Sequence, residues 1–239
     1  MKRLILLMIT CYCLLPGHAN TDIASDSLLQ VLQTLPHDTT RLSTLNDIIK
    51  IEQNNYKCIQ YSDTLMQEAL KLKNDKYASL AAYYHLLYYY NRSEQDSVAK
   101  WIVRMEPYVQ RSGLWDYFFD AQRFQIDLYT FTEQYELAIS EANKMKQKAL
   151  NTNSNRGTVA AYQCLSNAYI GSQRWDEGLK ALEEAYRLLP KKGNAVVHIS
   201  VLSQLISVTK EMKDNNRQLK YLQELESVLR KFIIDNPSL

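Results

Sequence analysis

Residues 162–190 read YQCLSNAYIGSQRWDEGLKALEEAYRLLP, and the spacing inside this stretch decides the fold. Tyr162, Leu165, Ser166 and Tyr169 fall three and four residues apart, which sets their side chains on one face of an α-helix. Gly171-Ser172 interrupts the pattern, and a second helical pattern opens at Trp175. Gly178 and Ala185 lie on one side of that second helix and let the first approach closely. Tyr162, Leu165, Tyr169, Trp175 and Leu182 fill the space around the contact, and Pro190 ends the unit. The stretch therefore predicts two antiparallel helices packed face to face.

This order of residues resembles a tetratricopeptide repeat, whose first helix favours the spacing W-x2-L-G-x2-Y. Tyr162, Leu165, Ser166 and Tyr169 take those places. Trp175 is then the aromatic before the second helix, Gly178 and Leu182 the small-and-bulky pair, Ala185 the second small site and Pro190 the terminal proline. Ser166 stands where the family prefers Gly, and Leu182 where it prefers an aromatic. Weaker echoes lie upstream in Tyr129, Tyr135 and Ala138, in Tyr83, Leu86, Tyr90 and Ala99, and in Ser62 and Ala69. Steps between the small residues 62, 99, 138 and 178 are 37, 39 and 40, longer than the family's 34, which implies longer helices or loops. The resemblance implies an all-α fold, a right-handed α-α superhelix of about five helix pairs between Asp38 and Ile234. Four pairs would occupy residues 38–193, and residues 194–239 would form a degenerate pair capping the end.

The rest of the chain suits this architecture. Only 6 Gly and 5 Pro punctuate 239 residues, too few for a turn-rich β fold. Polar breaks at Asn54-Asn55, Lys73-Asn74-Asp75, Asn91-Arg92-Ser93, Ser112-Gly113, Thr132-Glu133, Asn151 to Asn155, Lys191-Lys192-Gly193 and Lys213-Asp214-Asn215 cut it into helix-length pieces. About eleven helices are expected, joined by short loops that make neighbours antiparallel. Tyr83, Leu86, Leu87 and Tyr90 form one apolar stripe; Leu219, Leu222, Leu225 and Leu229 form another. A short helix from Ser25 to about Leu35 is expected within a leader of residues 20–37, and Asp38 is placed to cap the next. Pro107 is expected to kink its helix or end it early.

The first nineteen residues differ. Lys2 and Arg3 lead into an apolar run from Leu4 to Leu15, followed by Pro16-Gly17-His18-Ala19. A basic start, a run too short to span a bilayer and small residues before a break make a secretory signal, cleaved after Ala19. The residues before Cys11 and the apolar pair after Cys13 do not suit lipidation. Export places the mature chain in the periplasm or outside the cell. Loss of Lys2 and Arg3 lowers the basic residues from 28 to 26, matching the 26 acidic ones. Such a balance provides no field for nucleic acid, and no later stretch is apolar enough to cross a membrane. Of the mature cysteines, Cys58 and Cys164 are far apart and read as two buried free thiols.

A search for chemistry returns none. Phosphate loops, H-E-x-x-H and G-x-S-x-G are absent, and His37, His85 and His198 are isolated from one another and from Cys, so neither a metal nor an organic cofactor is implied. His85 reads as a packed histidine, Glu183-Glu184 as a solvated face, and Trp115-Asp116 and Trp175-Asp176 as parts of helices rather than propeller strands. Residues one place beyond the core stripe of each first helix should face the inner groove of a solenoid. They are Tyr84 and Tyr88, Arg123 and Asp127, and Gln163 and Asn167. The expected function is a non-catalytic scaffold in the cell envelope, holding a protein or peptide partner in this groove. The order of a signal followed by a Tyr-rich repeat array is similar to the periplasmic half of Bacteroidetes-type sensor histidine kinases. The competing expectation is a helical-toroid carbohydrate-active enzyme or a sugar-binding protein, although no close acid pair on an inner face presents itself.

Overall fold

A computed structural model describes residues 19–52, 55–190 and 195–235. Among them the backbone forms eleven α-helices and no strand. They are α1 (Ala19–Thr34), α2 (Thr39–Glu52), α3 (Lys57–Lys71), α4 (Asp75–Tyr90), α5 (Gln95–Ser112), α6 (Trp115–Phe131), α7 (Tyr135–Asn151), α8 (Asn155–Gly171), α9 (Trp175–Leu188), α10 (Ala195–Glu211) and α11 (Asn215–Asp235). The all-α expectation holds. The signal run before Ala19 and the breaks at Asn54 and Lys191-Lys192-Gly193 lie outside the described residues. The leader helix α1 includes Ala19, six residues before Ser25, and runs to Thr34.

From α4 onward the helices start at residues 75, 95, 115, 135, 155, 175, 195 and 215, one every 20 residues. Two places before seven of these starts the backbone is left-handed, at Lys73, Ser93, Gly113, Glu133, Asn153, Gln173 and Lys213. Six of the turns share one hydrogen-bond pattern. In the first of them the N–H of Asn74 reaches back to the carbonyl of Ala69 at 2.8 Å and that of Lys73 to Leu70 at 3.1 Å. The same pair of bonds recurs at Glu94 and Tyr89 through to Asp214 and Thr209. This exit satisfies otherwise orphaned carbonyls within a very short connection and reverses the chain. Gly113 differs, its N–H bonding only to Val109 at 2.8 Å.

The period of a helix pair is thus constant at 40 residues. The shorter steps expected from Ser62 and Ala99 arise because neither is the equivalent of Ala138 and Gly178. Counting back by 40 from Ala138 gives Val98 and then Cys58, both buried. Cys58 and Cys164 are free and buried, as expected.

Local chemistry explains the helix ends. Asp38 caps α2 as expected, its carboxylate accepting from the N–H of Thr40 at 2.8 Å and of Arg41 at 3.3 Å. Ser154 and Asn74 cap α8 and α4 in the same way. Trp115-Asp116 and Trp175-Asp176 are the first residues of α6 and α9, where the acid complements the helix dipole. Pro107 does not end α5, which runs on to Ser112. The carbonyl that Pro107 deprives of a partner belongs to Val103, and both residues are exposed, so the break in the hydrogen-bond ladder falls on the face turned away from the core.

Each helix packs on the next in sequence, and in addition α2 packs on α4, α4 on α6 and α6 on α8. The odd-numbered helices are linked instead by long side chains. Lys148 on α7 pairs with Glu106 on α5, and the Tyr221 hydroxyl on α11 donates to Glu183 on α9 at 2.8 Å. From α2 to α8 the even-numbered helices therefore form the closer-packed layer. Small residues permit the tightest approaches, between the layers at Gly178 and within the even-numbered layer at Gly157. A Cβ added at Gly178 would stand 2.7 Å from Ile170 Cγ1, and one at Gly157 would stand 2.4 Å from Phe119 Cδ2. Between the layers Leu42, Leu45, Ile48, Ile49, Leu65 and Leu86 are fully buried, each contributing about 1.5–3 kcal/mol.

Candidate functional site

The 40-residue step fixes which side chains are equivalent along α4, α6 and α8. Arg123 and Asp127 on α6 step forward to Gln163 and Asn167 on α8, and back to Tyr83 and Leu87 on α4. Tyr84 and Tyr88 lie one residue beyond that register, a rotation of about 100° around the helix. The expected line of groove residues is therefore broken at α4.

The consequence is visible at both tyrosines. Tyr84 is only 5% exposed, and its hydroxyl donates to Asn46 Oδ1 on α2 at 2.9 Å. Desolvation drives its phenol far above the ordinary range. Tyr84 is thus a buried tie between α2 and α4 and not an accessible groove residue. Tyr88 is half-buried, with the Arg92 guanidinium 3.4 Å above its ring and Tyr89 edge-on at 5.4 Å. Tyr83 instead faces α6, meeting Tyr117 edge-on at 5.0 Å and Phe124 at 6.3 Å. Tyr90 stacks on Phe124 at 4.4 Å. These rings make an aromatic seam between α4 and α6. Burial, with the charge of Asp120 adding to it, pushes the Tyr83 hydroxyl up to about 12.

Charge follows the aromatic seam. Asp116, Asp120 and Asp127 lie on one side of α6 at helical spacing, with Arg123 beside them. Arg156 reaches back from α8, its Nη2 donating to Asp120 Oδ2 at 2.7 Å while Nη1 lies 3.6 Å from Asp116 Oδ2. Arg123 Nη2 stands 3.9 Å from Asp120 Oδ1, and its buried Nε has no partner among the described residues. Desolvation raises the Asp120 carboxyl against the opposing pull of Arg156 and Arg123. Asp127 is half-buried, and burial pushes its carboxyl up to about 6, with only the Arg123 charge opposing. Behind it lies Cys164, whose thiol burial raises well above its usual range. Gln163 donates to Gln204 Oε1 on α10 at 3.2 Å and so belongs to the α8–α10 seam, whereas Asn167 is exposed.

Of the six expected groove residues, Asp127 and Asn167 share one column of the wall, Arg123 and Gln163 share the neighbouring column at the seams, and Tyr84 and Tyr88 fall outside both. Sequence reasoning missed Tyr83, Leu87, Asp116, Asp120 and Arg156. Counting by a constant 40 from Asp127 and Asn167 would have found Leu87, and the same step from Asp116 reaches Arg156. Shallow depressions elsewhere, lined by Asn143, Lys144 and Gln147 on α7 or by Ser93, Gln95 and Thr132 near the α4–α5 turn, lie away from this wall.

His85 is buried in a separate setting between α3 and α5, and His37 is exposed with Nδ1 3.5 Å from Glu68 Oε1. Among the described residues no helix is long and apolar enough to cross a membrane. In comparisons with known proteins, the chain matches no family model and no curated relative.

Proposed function

We propose that this chain is a non-catalytic scaffold of the cell envelope, exported by its N-terminal signal, that holds a peptide or protein partner against its even-numbered helices. The architecture we assign is a tetratricopeptide-like, right-handed solenoid of five pairs, from α2/α3 to α10/α11, with α1 as leader. The closer packing of α2, α4, α6 and α8 supports a stack curved toward that layer, which makes their outward face the concave one. A role as the sensory input region of a membrane signalling protein suits such a surface.

The observation that carries the reading is Asp127. A carboxylate held half-buried, with no hydrogen-bonding side chain among the described residues and with its proton affinity raised, costs the fold stability at neutral pH. Groups kept at such a cost concentrate at binding surfaces. Asp127 lies in one column with Leu87 and Asn167, beside the Tyr83, Phe124 and Tyr90 seam, where a partner would meet aromatic, amide and acidic groups together.

The test is capture from an envelope extract and a peptide library by the wild-type chain and by Leu87→Ala/Asp127→Ala/Asn167→Ala, with Val103→Ala on α5 as the control. Loss of specific partners from the triple variant, retained by the control, is expected. Identical partner sets for all three chains would sink the proposal.

A further inference from the structure

Three carboxylates lie along α6, and cations meet two of them. Asp116 and Asp120 both face Arg156, and Asp120 has Arg123 beside it as well. Asp127 has no hydrogen bond and no ion pair among the described residues. Arg123, four residues before it, is committed elsewhere: its Nη2 stands 3.9 Å from Asp120 Oδ1, and its guanidinium carbon lies 5.3 Å from the centre of the Phe124 ring. A base four residues N-terminal to an acid is also the weaker orientation of such a pair on a helix.

The place of Asp127 along α6 adds to its isolation. The helix ends four residues later at Phe131, and its last turn carries no basic residue, so the carboxylate stands near the negative end of the helix dipole. On α4 the corresponding end is met by Arg92, whose Nη1 donates to the Tyr88 carbonyl at 3.1 Å. Forty residues on, the neutral Thr132 hydroxyl donates to the Leu128 carbonyl at 2.8 Å instead. The charge of Asp127 is felt on both flanks. After burial, it is the Asp127 charge that raises the hydroxyl of Tyr90 on α4 and the thiol of Cys164 on α8.

One turn beyond Asp127, on the same side of α6, Phe131 is 70% exposed. The residues 40 places before and after it are Asn91 and Gly171, neither of which brings an apolar side chain to cover the ring. A carboxylate without a cation and an aromatic face without a cover, one turn apart, are satisfied together by one kind of group. A lysine or arginine side chain pairs its charge with the carboxylate and lays its charge and aliphatic stem against the ring. An anionic or neutral segment docked here would desolvate Asp127 further and leave it unpaired.

We infer that the partner held by this wall, on the reading proposed above, is a peptide or protein segment that sets a lysine or arginine side chain on Asp127 and Phe131. Leu87 and Asn167, on either side of Asp127 in its column, are left for the residues that flank the cation.

A phage-displayed library of random heptapeptides, panned on the purified chain, should enrich sequences with a basic residue at one fixed place, and these should fail to bind Leu87→Ala/Asp127→Ala/Asn167→Ala. A selected peptide, synthesised with a fluorescent label, should bind Asp127→Asn and Phe131→Ala each about tenfold more weakly than wild type, with unchanged helical spectra. Norleucine in place of its basic residue should weaken binding to wild type by a similar factor and weaken it no further on Asp127→Asn. Asp127→Lys should accept the peptide that carries glutamate at that place. Peptides that are lost on the triple variant, yet show no favoured basic residue or bind Asp127→Asn as well as wild type, overturn the inferred cation and leave the partner surface standing. A library that yields no peptide sensitive to the triple variant overturns both.

Discussion

The imidazole of His85 on α4 lies flat on the indole of Trp101 on α5, with ring centroids 4.0 Å apart and planes within 2°. The Arg104 guanidinium lies 4.7 Å from the same indole, and Asp63 Oδ1 on α3 approaches His85 Nε2 to 3.1 Å without hydrogen-bond alignment. Desolvation dominates and lowers the imidazole's proton affinity, with Arg104 acting in the same direction and Asp63 opposing. Three successive helices therefore meet on a histidine whose burial favours the neutral form.

This contact predicts a pH dependence. The unfolded imidazole titrates near 6.5 and the folded one lower, so below about pH 6.5 the unfolded chain binds more protons. The stability contribution is complete above that value and is lost as the pH falls through the lower folded one. Urea unfolding midpoints should drop as the pH falls below 6.5 in wild type and drop less in His85→Gln. Equal slopes would exclude His85 as their cause.

Asp127 predicts the opposite sign. Its folded carboxyl titrates near 6, against an ordinary value of 3.8, so its charge weighs against the folded state as the pH rises through that window. Asp127→Asn should stabilise the chain at pH 7 by about 2 kcal/mol, a figure reduced for partial exposure, and by little below pH 4. Thermal melts at the two pH values measure the difference. A destabilised variant at pH 7 would mean that the carboxylate has a partner within the chain.

Tyr84 and Leu87 should separate structure from recognition. Tyr84→Phe leaves Asn46 Oδ1 without its buried donor and should cost about 1–2 kcal/mol, with partner capture unchanged. Leu87→Ser, on the outward column, should reduce capture. Paired denaturation and binding assays decide it, and a Tyr84→Phe variant that loses its partner at full stability would return Tyr84 to the binding face.

The repeated turns predict a gain. Lys73, Glu133 and Gln173 hold left-handed backbone at exposed positions, a conformation that costs a side-chain-bearing residue about 1 kcal/mol. Replacing each with Gly should raise stability by about 0.5–1 kcal/mol, less the flexibility Gly adds to the unfolded chain. Gln173→Val should lower it. If Gly proves neutral or harmful at all three, the side chains contribute contacts beyond those of the turn.

The sequence alone determined that this chain is helical and where most helices end. Three- and four-residue apolar spacing, capping by Asp38 and short polar breaks are local signals, written within a few residues of the structure they produce. Packing in tight pairs was legible too, because Gly178 can only mean close approach where a Cβ would meet Ile170. Phase was not legible. Ala99 and Ser62 looked like the small members of their pairs, yet the constant period passes through Val98 and Cys58, whose larger side chains are buried equally well. One residue of error turns a helix by about 100°, enough to exchange a face packed on a neighbour for one that meets a partner. Only the packing of α2 on α4 and of α4 on α6 decided that Tyr84 is bound inside while Leu87, Asp127 and Asn167 form the outward column, because a helix carries no internal mark of which neighbour will cover which side.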